Sequence, residues 1–290
     1  MRELVVISGK GGTGKTSITA SFAALAKRAV IADCDVDAPD LHLILSPTIM
    51  ESYDFYSGHE AIIDQEKCTR CGLCFDHCRF EAVTEANLGN NLPHFEIDSL
   101  ACEGCGVCVR FCPENAIKFP ERHCGQWMVS QMRFGPMVHA RLNPAAENSG
   151  KLVSTVRREA HRISDEQNLP VVIVDGPPGI GCPVIASLTG TTRVLVVAEP
   201  TVSGEHALKR ILVLAKHFNL PASVCVNKYD LNLPMTRTME KEARKSGADV
   251  LGRIRYDRAV TLAQMQNKAV VETDARSAED IRIIWGRLSL

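Results

Sequence analysis

The chain reads as an α/β protein, a doubly wound and mostly parallel sheet interrupted by a small, cysteine-rich α+β insert. Three observations predict this. The N-terminus runs strand, glycine loop, helix: Leu4-Val5-Val6-Ile7, then Ser8 to Thr16, then Ser17 to Lys27. Further on, short apolar runs such as Val171-Val172-Ile173-Val174 lack the polar alternation of half-exposed strands and fit strands buried on both faces. Eight of the 12 cysteines fall between Cys68 and Cys112 in two matching runs, a texture foreign to the sequence on either side. Boundaries drawn on that texture are 1–59, 60–119 and 120–290, the outer two forming one domain around the middle one.

Bulk properties narrow the function. With 290 residues, 45% of them hydrophobic, the chain can bury one large core and one small one. A formal net charge of -1 and the lack of a lysine-rich run give no electrostatic case for nucleic acid or a membrane surface. Met1-Arg2-Glu3 enters a strand without the apolar core of a signal peptide, and no run approaches the ~18 apolar residues of a spanning helix. A cytoplasmic protein is expected, and in that compartment so many cysteines point to metal and not to disulfides.

The glycine loop, Ser8-Gly9-Lys10-Gly11-Gly12-Thr13-Gly14-Lys15-Thr16, satisfies G-x-x-x-x-G-K-[ST]. In that pattern backbone N–H groups cradle phosphates, the lysine reaches the β/γ oxygens and the hydroxyl ligates magnesium. Glycine is needed because a loop wrapped round an anion uses positive φ, and the anion then sits at the positive end of the helix dipole. Gly11, Gly12, Thr13, Gly14, Lys15, Thr16 and Ser17 are thus candidate nucleotide contacts. The minimal motif does not ask for Lys10. With that second lysine, the loop resembles the deviant Walker A of the MinD, ParA, Mrp and nitrogenase iron protein group of P-loop ATPases. The resemblance implies a P-loop NTPase core and a homodimer in the ATP state, with Lys10 crossing to the partner's nucleotide. A solvated Lys10 without a role in trans is the plain alternative.

After the first helix, Ala29-Val30-Ile31-Ala32 reads as a second buried strand and delivers Asp33, Asp35 and Asp37. Carboxylates at the carboxyl end of a strand lie where α/β sheets bind ligands. The stretch resembles the family's first switch, which implies Asp33 near the magnesium shell and Asp35 orienting or activating the attacking water. A helix N-cap is the other reading. Asp40 stands where relatives commonly carry Asn and is assigned no nucleotide contact, and Cys34 reads as a small buried residue.

In the insert, Cys68-x2-Cys71-x2-Cys74-x3-Cys78 is repeated as Cys102-x2-Cys105-x2-Cys108-x3-Cys112-Pro113, each cysteine 34 positions on. The same offset pairs Ile63-Asp64 with Ile97-Asp98 and Ala82-Val83 with Ala116-Ile117, so one supersecondary unit has been duplicated. Both halves resemble bacterial two-cluster ferredoxins, whose fourth cysteine ligates the other cluster. That crossing implies one 4Fe-4S centre on Cys68, Cys71, Cys74 and Cys112, and another on Cys102, Cys105, Cys108 and Cys78. Tetrahedral zinc is the competing metal for C-x-x-C pairs. One departure is visible: Arg79, not proline, follows Cys78.

Residues from Glu121 to Pro144 are expected to form a linker that returns the chain to the main domain and covers the insert. Cys124, His123 and His139 lack ligand spacing and are expected to be structural, with an extra metal site as the alternative. The methionines there suit a surface that adapts to a partner. The α/β pattern resumes with a helix over Val153 to Gln167 and the strand Val171 to Val174, which ends in Asp175-Gly176-Pro177-Pro178-Gly179. A carboxylate at that tip would hold magnesium through water near Thr16, and the resemblance makes the glycine loop a second switch. Val194 to Ala198, a helix over Gly204 to Phe218, and Ser223 to Val226 follow and deliver Asn227-Lys228-Tyr229-Asp230. That tetrapeptide fits the guanine-reading N-K-x-D, whereas in MinD-like ATPases an asparagine at this place contacts adenine. ATP and GTP both stay open, with the wider resemblance favouring ATP, and Asn227 and Lys228 are candidate contacts. A last strand lies near Val250 to Ile254. Ile281, Ile284, Trp285 and Leu288 recur at helical spacing without a lysine-rich polar face, which favours packing on the sheet over membrane anchoring.

Together the motifs imply a magnesium-dependent ATPase carrying two 4Fe-4S clusters. The leading expectation is a nucleotide-dependent homodimer that drives assembly or transfer of an iron–sulfur type metallocofactor to a protein acceptor, as Mrp-like relatives do. An ATP-gated electron donor with the clusters as a permanent wire is the first alternative, and a redox-sensing positioning switch the second.

Overall fold

In a computed structural model, residues 2–87, 93–146 and 149–288 are described; Met1, the lead into the first strand, lies outside them. The chain divides into two compact units, one of Met1–Tyr53, Trp127–Arg141 and Ser149–Leu290, the other of Asp54–Gln126 and Leu142–Asn148. In chain order the first elements are β1 (Arg2–Ser8), α1 (Lys15–Ala26), β2 (Ala29–Asp33), α2 (Leu41–Leu45) and β3 (Thr48–His59). Then come β4 (Ile62–Ile63), α3 (Leu73–Asp76), β5 (Val83–Asn87), β6 (Pro93–Ile97), α4 (Val107–Phe111) and β7 (Ile117–Lys118). The remainder is β8 (Glu121–Met132), β9 (Gly135–Leu142), α5 (Ser149–Glu166), β10 (Val171–Pro178), α6 (Cys182–Leu188), β11 (Arg193–Ala198), α7 (Val202–His217), β12 (Ala222–Asn227), α8 (Leu233–Lys245), β13 (Asp249–Ile254), α9 (Ala259–Met265) and α10 (Arg276–Arg287).

The main sheet has the order β13-β12-β11-β1-β10-β2-β9-β8-β3. The seven strands from β13 to β9 pair in parallel. Leu4 to Ile7, Val172 to Val174 and Val194 to Val197 are all buried, as strands covered by helices on both faces must be. The register decides the chemistry, because β2 and β10 run side by side with Asp33 opposite Asp175. Both carboxylates therefore leave the sheet at one end, next to the loop that follows β1. Helix α10 buries Ile281, Ile284 and Leu288 in the same core as Leu4 and Phe22. Its Trp285 ring lies 5.0 Å from that of Phe22.

Residues 121–144 do not form the expected linker. They make β8 and β9, a hairpin turning at Arg133-Phe134, and β9 extends the sheet with Met137 opposite Ile31 and His139 opposite Asp33. The polar letters hid the strands: His139 is buried, and its ring shares a 2.8 Å hydrogen bond with Ser130 Oγ on β8. Arg133 pins the turn, donating to Leu45 O at 2.8 Å and to Glu272 at 2.6 Å.

The smaller unit shows how its repeats interlock. Strand β4 of the first repeat pairs antiparallel with β7 of the second, and β5 of the first with β6 of the second. The 34-residue offset recurs in the hydrogen bonds, Asp64 N to Ala116 O at 2.7 Å matching Asp98 N to Ala82 O at 2.8 Å. Gly72 and Gly106 both start their short helices at positive φ, 78° and 72°. Neither repeat closes alone, since each completes the other's strand pair.

Candidate nucleotide site and thiol cavities

The loop after β1 carries the expected cradle. Gly12 and Gly14 have φ of +76° and +89°, and the space where Cβ atoms would stand on Gly11 and Gly12 is open. Lys15 opens α1 and is buried, with Nζ 2.9 Å from Asp175 Oδ1 and 3.5 Å from Asp35 Oδ2. Burial opposes its charge, but Asp175 and Asp35 outweigh that and hold the ammonium above its ordinary pKa. Thr19 Oγ1 donates to the same Asp175 oxygen at 2.9 Å. Asp33 is fully buried; its Oδ1 accepts from Asp35 N at 3.1 Å. Burial, reinforced by the neighbouring Asp175, pushes the Asp33 carboxyl well up. Asp35 is also raised, by burial and by Asp175, against the pull of Lys15.

Among the described residues, few buried side-chain atoms lack a partner, and three of them, Thr13 Oγ1, Asp33 Oδ2 and Asp175 Oδ2, lie at this site. Such atoms are costly to bury unless something binds them. The two carboxylate oxygens, with the hydroxyl of Thr16 3.5 Å from Lys15 Nζ, are hard donors that fit magnesium, and the open cradle fits phosphate.

Asn227 ends β12 and donates from Nδ2 to Thr13 O at 2.7 Å. A Cβ on Gly14 would collide with that same Nδ2, so Gly14 is required for the close approach. Lys228 Nζ donates to Gly12 O at 3.0 Å and pairs with Glu199 at 3.3 Å. Beside them an open cleft is lined by Ser17, Arg255, Tyr256 and Gln264. Asp230 Oδ1 accepts from Tyr256 N of that cleft at 2.7 Å. Lys10 turns to Glu199, 3.1 Å away. Glu199 and Thr19 carry no motif of their own, and only the folded chain brings them to the loop.

Two of the cavities in the smaller unit are lined by thiols. Cys68, Cys71, Cys74 and Cys112 line the first. Cys78, Cys102, Cys105 and Cys108 line the second. Among the described residues no three His, Cys, Asp or Glu side chains converge tightly enough for a single metal ion. Four thiols lining one cavity are the donor set that a 4Fe-4S cluster takes, and tetrahedral zinc takes the same set. Burial pushes the Cys74 thiol up and that of Cys108 to about 11. Cys112 is extended, as a residue before proline must be, while the chain around Cys78 lacks that constraint and Arg79 stacks on Phe80 at 4.7 Å. Cys124 donates to Ser57 O at 3.1 Å and His123 sits 3.3 Å from Asp54.

The sequence profile of the CobQ/CobB/MinD/ParA nucleotide binding domain matches residues 4–270. An uncharacterised protein of Methanocaldococcus jannaschii is 32% identical over 233 residues, 79% of this chain and 79% of that protein. A shorter stretch, 19% of this chain and 60% of the relative, is 43% identical over 56 residues to the pyruvate synthase subunit PorD of the same organism. The MinC:MinD cell division protein complex of Aquifex aeolicus shares the fold, with a TM-score of 0.58 at 17% identity over 99% of this chain and 96% of that one. No helix among the described residues is long and apolar enough to cross a membrane.

Proposed function

Given that the chain belongs to the CobQ/CobB/MinD/ParA nucleotide-binding family and carries a ferredoxin-like insert, we propose that it is a magnesium-dependent ATPase whose ATP-bound homodimer gates electron transfer through two 4Fe-4S clusters to a protein acceptor. The observation that carries this is the enclosure of each cavity by four thiols drawn from both interlocked repeats. Ligands shared that way favour centres that stay in place over centres that are handed on, which reverses the order of preference drawn from sequence. Bound clusters would supply one-electron carriers.

On the nucleotide side, Lys15 would leave Asp175 and Asp35 for the phosphate oxygens. That exchange frees both carboxylates. Asp33, Asp175 and Thr16 would hold the metal, which would neutralise phosphate charge, while Asp35, whose pKa burial raises, suits a group that accepts a proton from water. Gly11, Gly12, Thr13, Gly14 and Ser17 would bind phosphate through the loop and helix start, with Lys10 supplied by the partner chain. ATP is favoured over GTP by the family to which the chain belongs, and Asp230 has one carboxylate oxygen engaged by Tyr256 N. The insert is joined to this site by chain, through β3 and β8, each of which has residues in both units.

Chemically reduced protein, kept anaerobic, would be mixed with an oxidised viologen dye with and without ATP. ATP-dependent acceleration of dye reduction with iron content unchanged is expected. Equal rates with ATP, ADP or no nucleotide would refute the gating. Delivery of a cluster is the second reading, favoured by the exposure of Cys71 and Cys105, and iron gained by an apo-ferredoxin during ATP turnover would establish it instead.

A further inference from the structure

Lys10 does not point at its own phosphate cradle. Its Nζ lies 3.1 Å from Glu199 Oε2 and 3.1 Å from Thr201 Oγ1, in the turn between β11 and α7. The same carboxylate accepts Lys228 Nζ at 3.3 Å, and that ammonium also donates to Gly12 O. One acidic side chain thus ties lysines from both flanks of the phosphate loop. The glutamate is largely sheltered, 16% exposed against 31% for Lys10. Burial alone would raise its pKa, but the two lysines outweigh that and keep it ionised.

The turn leaves little slack. A Cβ on Gly9 would collide with Ala207 of α7, and one on Gly204 with Glu199 O. Thr201 also caps α7, accepting from Gly204 N at 3.0 Å. A lysine held by this turn is held to its own chain.

We propose that Glu199 is a positioning residue that folds Lys10 back onto its own subunit, so that pairing of two ATP-loaded chains must first open this ion pair. The inference rests on the ATP-dependent homodimer proposed above. Opening exchanges one charge partner for another: Lys10 leaves Glu199 for the phosphates of the second chain, and Lys228 stays behind to neutralise the carboxylate.

The test uses the full chain with its iron centres loaded, under anaerobic sedimentation with a non-hydrolysable ATP analogue. Glu199→Gln should reach half-dimerisation at a protein concentration lower by up to about thirtyfold, the upper end for two partly exposed ion pairs, one in each chain. Glu199→Asp keeps the charge and should restore the wild-type midpoint. In the nucleotide-free monomer, acylation of the Lys10 amine, followed by mass spectrometry, should run faster in Glu199→Gln, a change that a merely structural role would not bring. A dimerising wild type whose midpoint and Lys10 labelling are both untouched by Glu199→Gln would overturn the role of Glu199 alone. Absence of an ATP-dependent dimer in the wild type would overturn the dimer reading and this inference together.

Discussion

Lys15 is a cation held among three carboxylates, and its position explains why the site is poised for a second cation. Its ammonium does for Asp175 what a metal would do, at 2.9 Å. Lys15→Ala therefore removes both the phosphate contact and the charge that makes burial of Asp175 tolerable. A loss of ATP affinity of about 100-fold is expected, the upper range for a charged hydrogen bond, measured with a fluorescent ATP analogue; unchanged affinity would contradict the loop assignment. Asp230 gives the converse case. Because its carboxylate serves Tyr256 N, Asp230→Ala should leave the preference for ATP over GTP as it was, while a switch in base preference would show that the aspartate reads the base.

At the scale of elements, two contacts can be tested independently of catalysis. The phosphate loop rests on α7 through Gly9 and Ala207, so Gly9→Val should force the loop away and cost about 1–3 kcal/mol, the usual range for overpacking, read by urea unfolding. The β8–β9 hairpin carries the second. The pKa of His139 is driven down to about 4 by burial and by the neighbouring His42, from the ordinary 6.5 of an imidazole. A neutral form held that way contributes fully above about pH 6.5, and the contribution is lost as pH falls toward 4, because the unfolded chain takes the proton first. Between pH 7.5 and 5 the loss should be about 2 kcal/mol. His139→Gln should flatten that part of the pH profile, and an unaltered slope would place the acid sensitivity elsewhere.

For the whole molecule the decisive question is how the two repeats share their ligands. If the fourth cysteine of each run serves the other run's cavity, Cys112→Ser should disrupt the centre built on Cys68, Cys71 and Cys74 and spare the one built on Cys102, Cys105 and Cys108. Cys78→Ser should do the reverse. Electron paramagnetic resonance of reduced variants distinguishes the two, and iron analysis of the parent should approach about eight irons per chain. Loss of the same centre in both variants would reject the crossed pairing, and a zinc-only protein would reject the clusters.

Motifs governed by local chemistry were legible along the chain. The glycine spacing announced the phosphate loop, the apolar runs announced β1, β2, β10, β11, β12 and β13, and the 34-residue offset announced the duplication, because each depends on neighbours a few residues apart or on repetition. The hairpin of β8 and β9 was not legible: its buried histidine and its turn arginine look like loop residues until Ser130, Leu45 and Glu272 supply their partners from up to 139 positions away. The same holds for the meeting of Asp33 with Asp175, for Thr19 against Asp175, and for Glu199 between two lysines. Sequence by itself determined which groups this chain has available for nucleotide and metal; only the tertiary structure decided which of them face one another, because strand register and helix packing bring together charges that no spacing in the sequence relates.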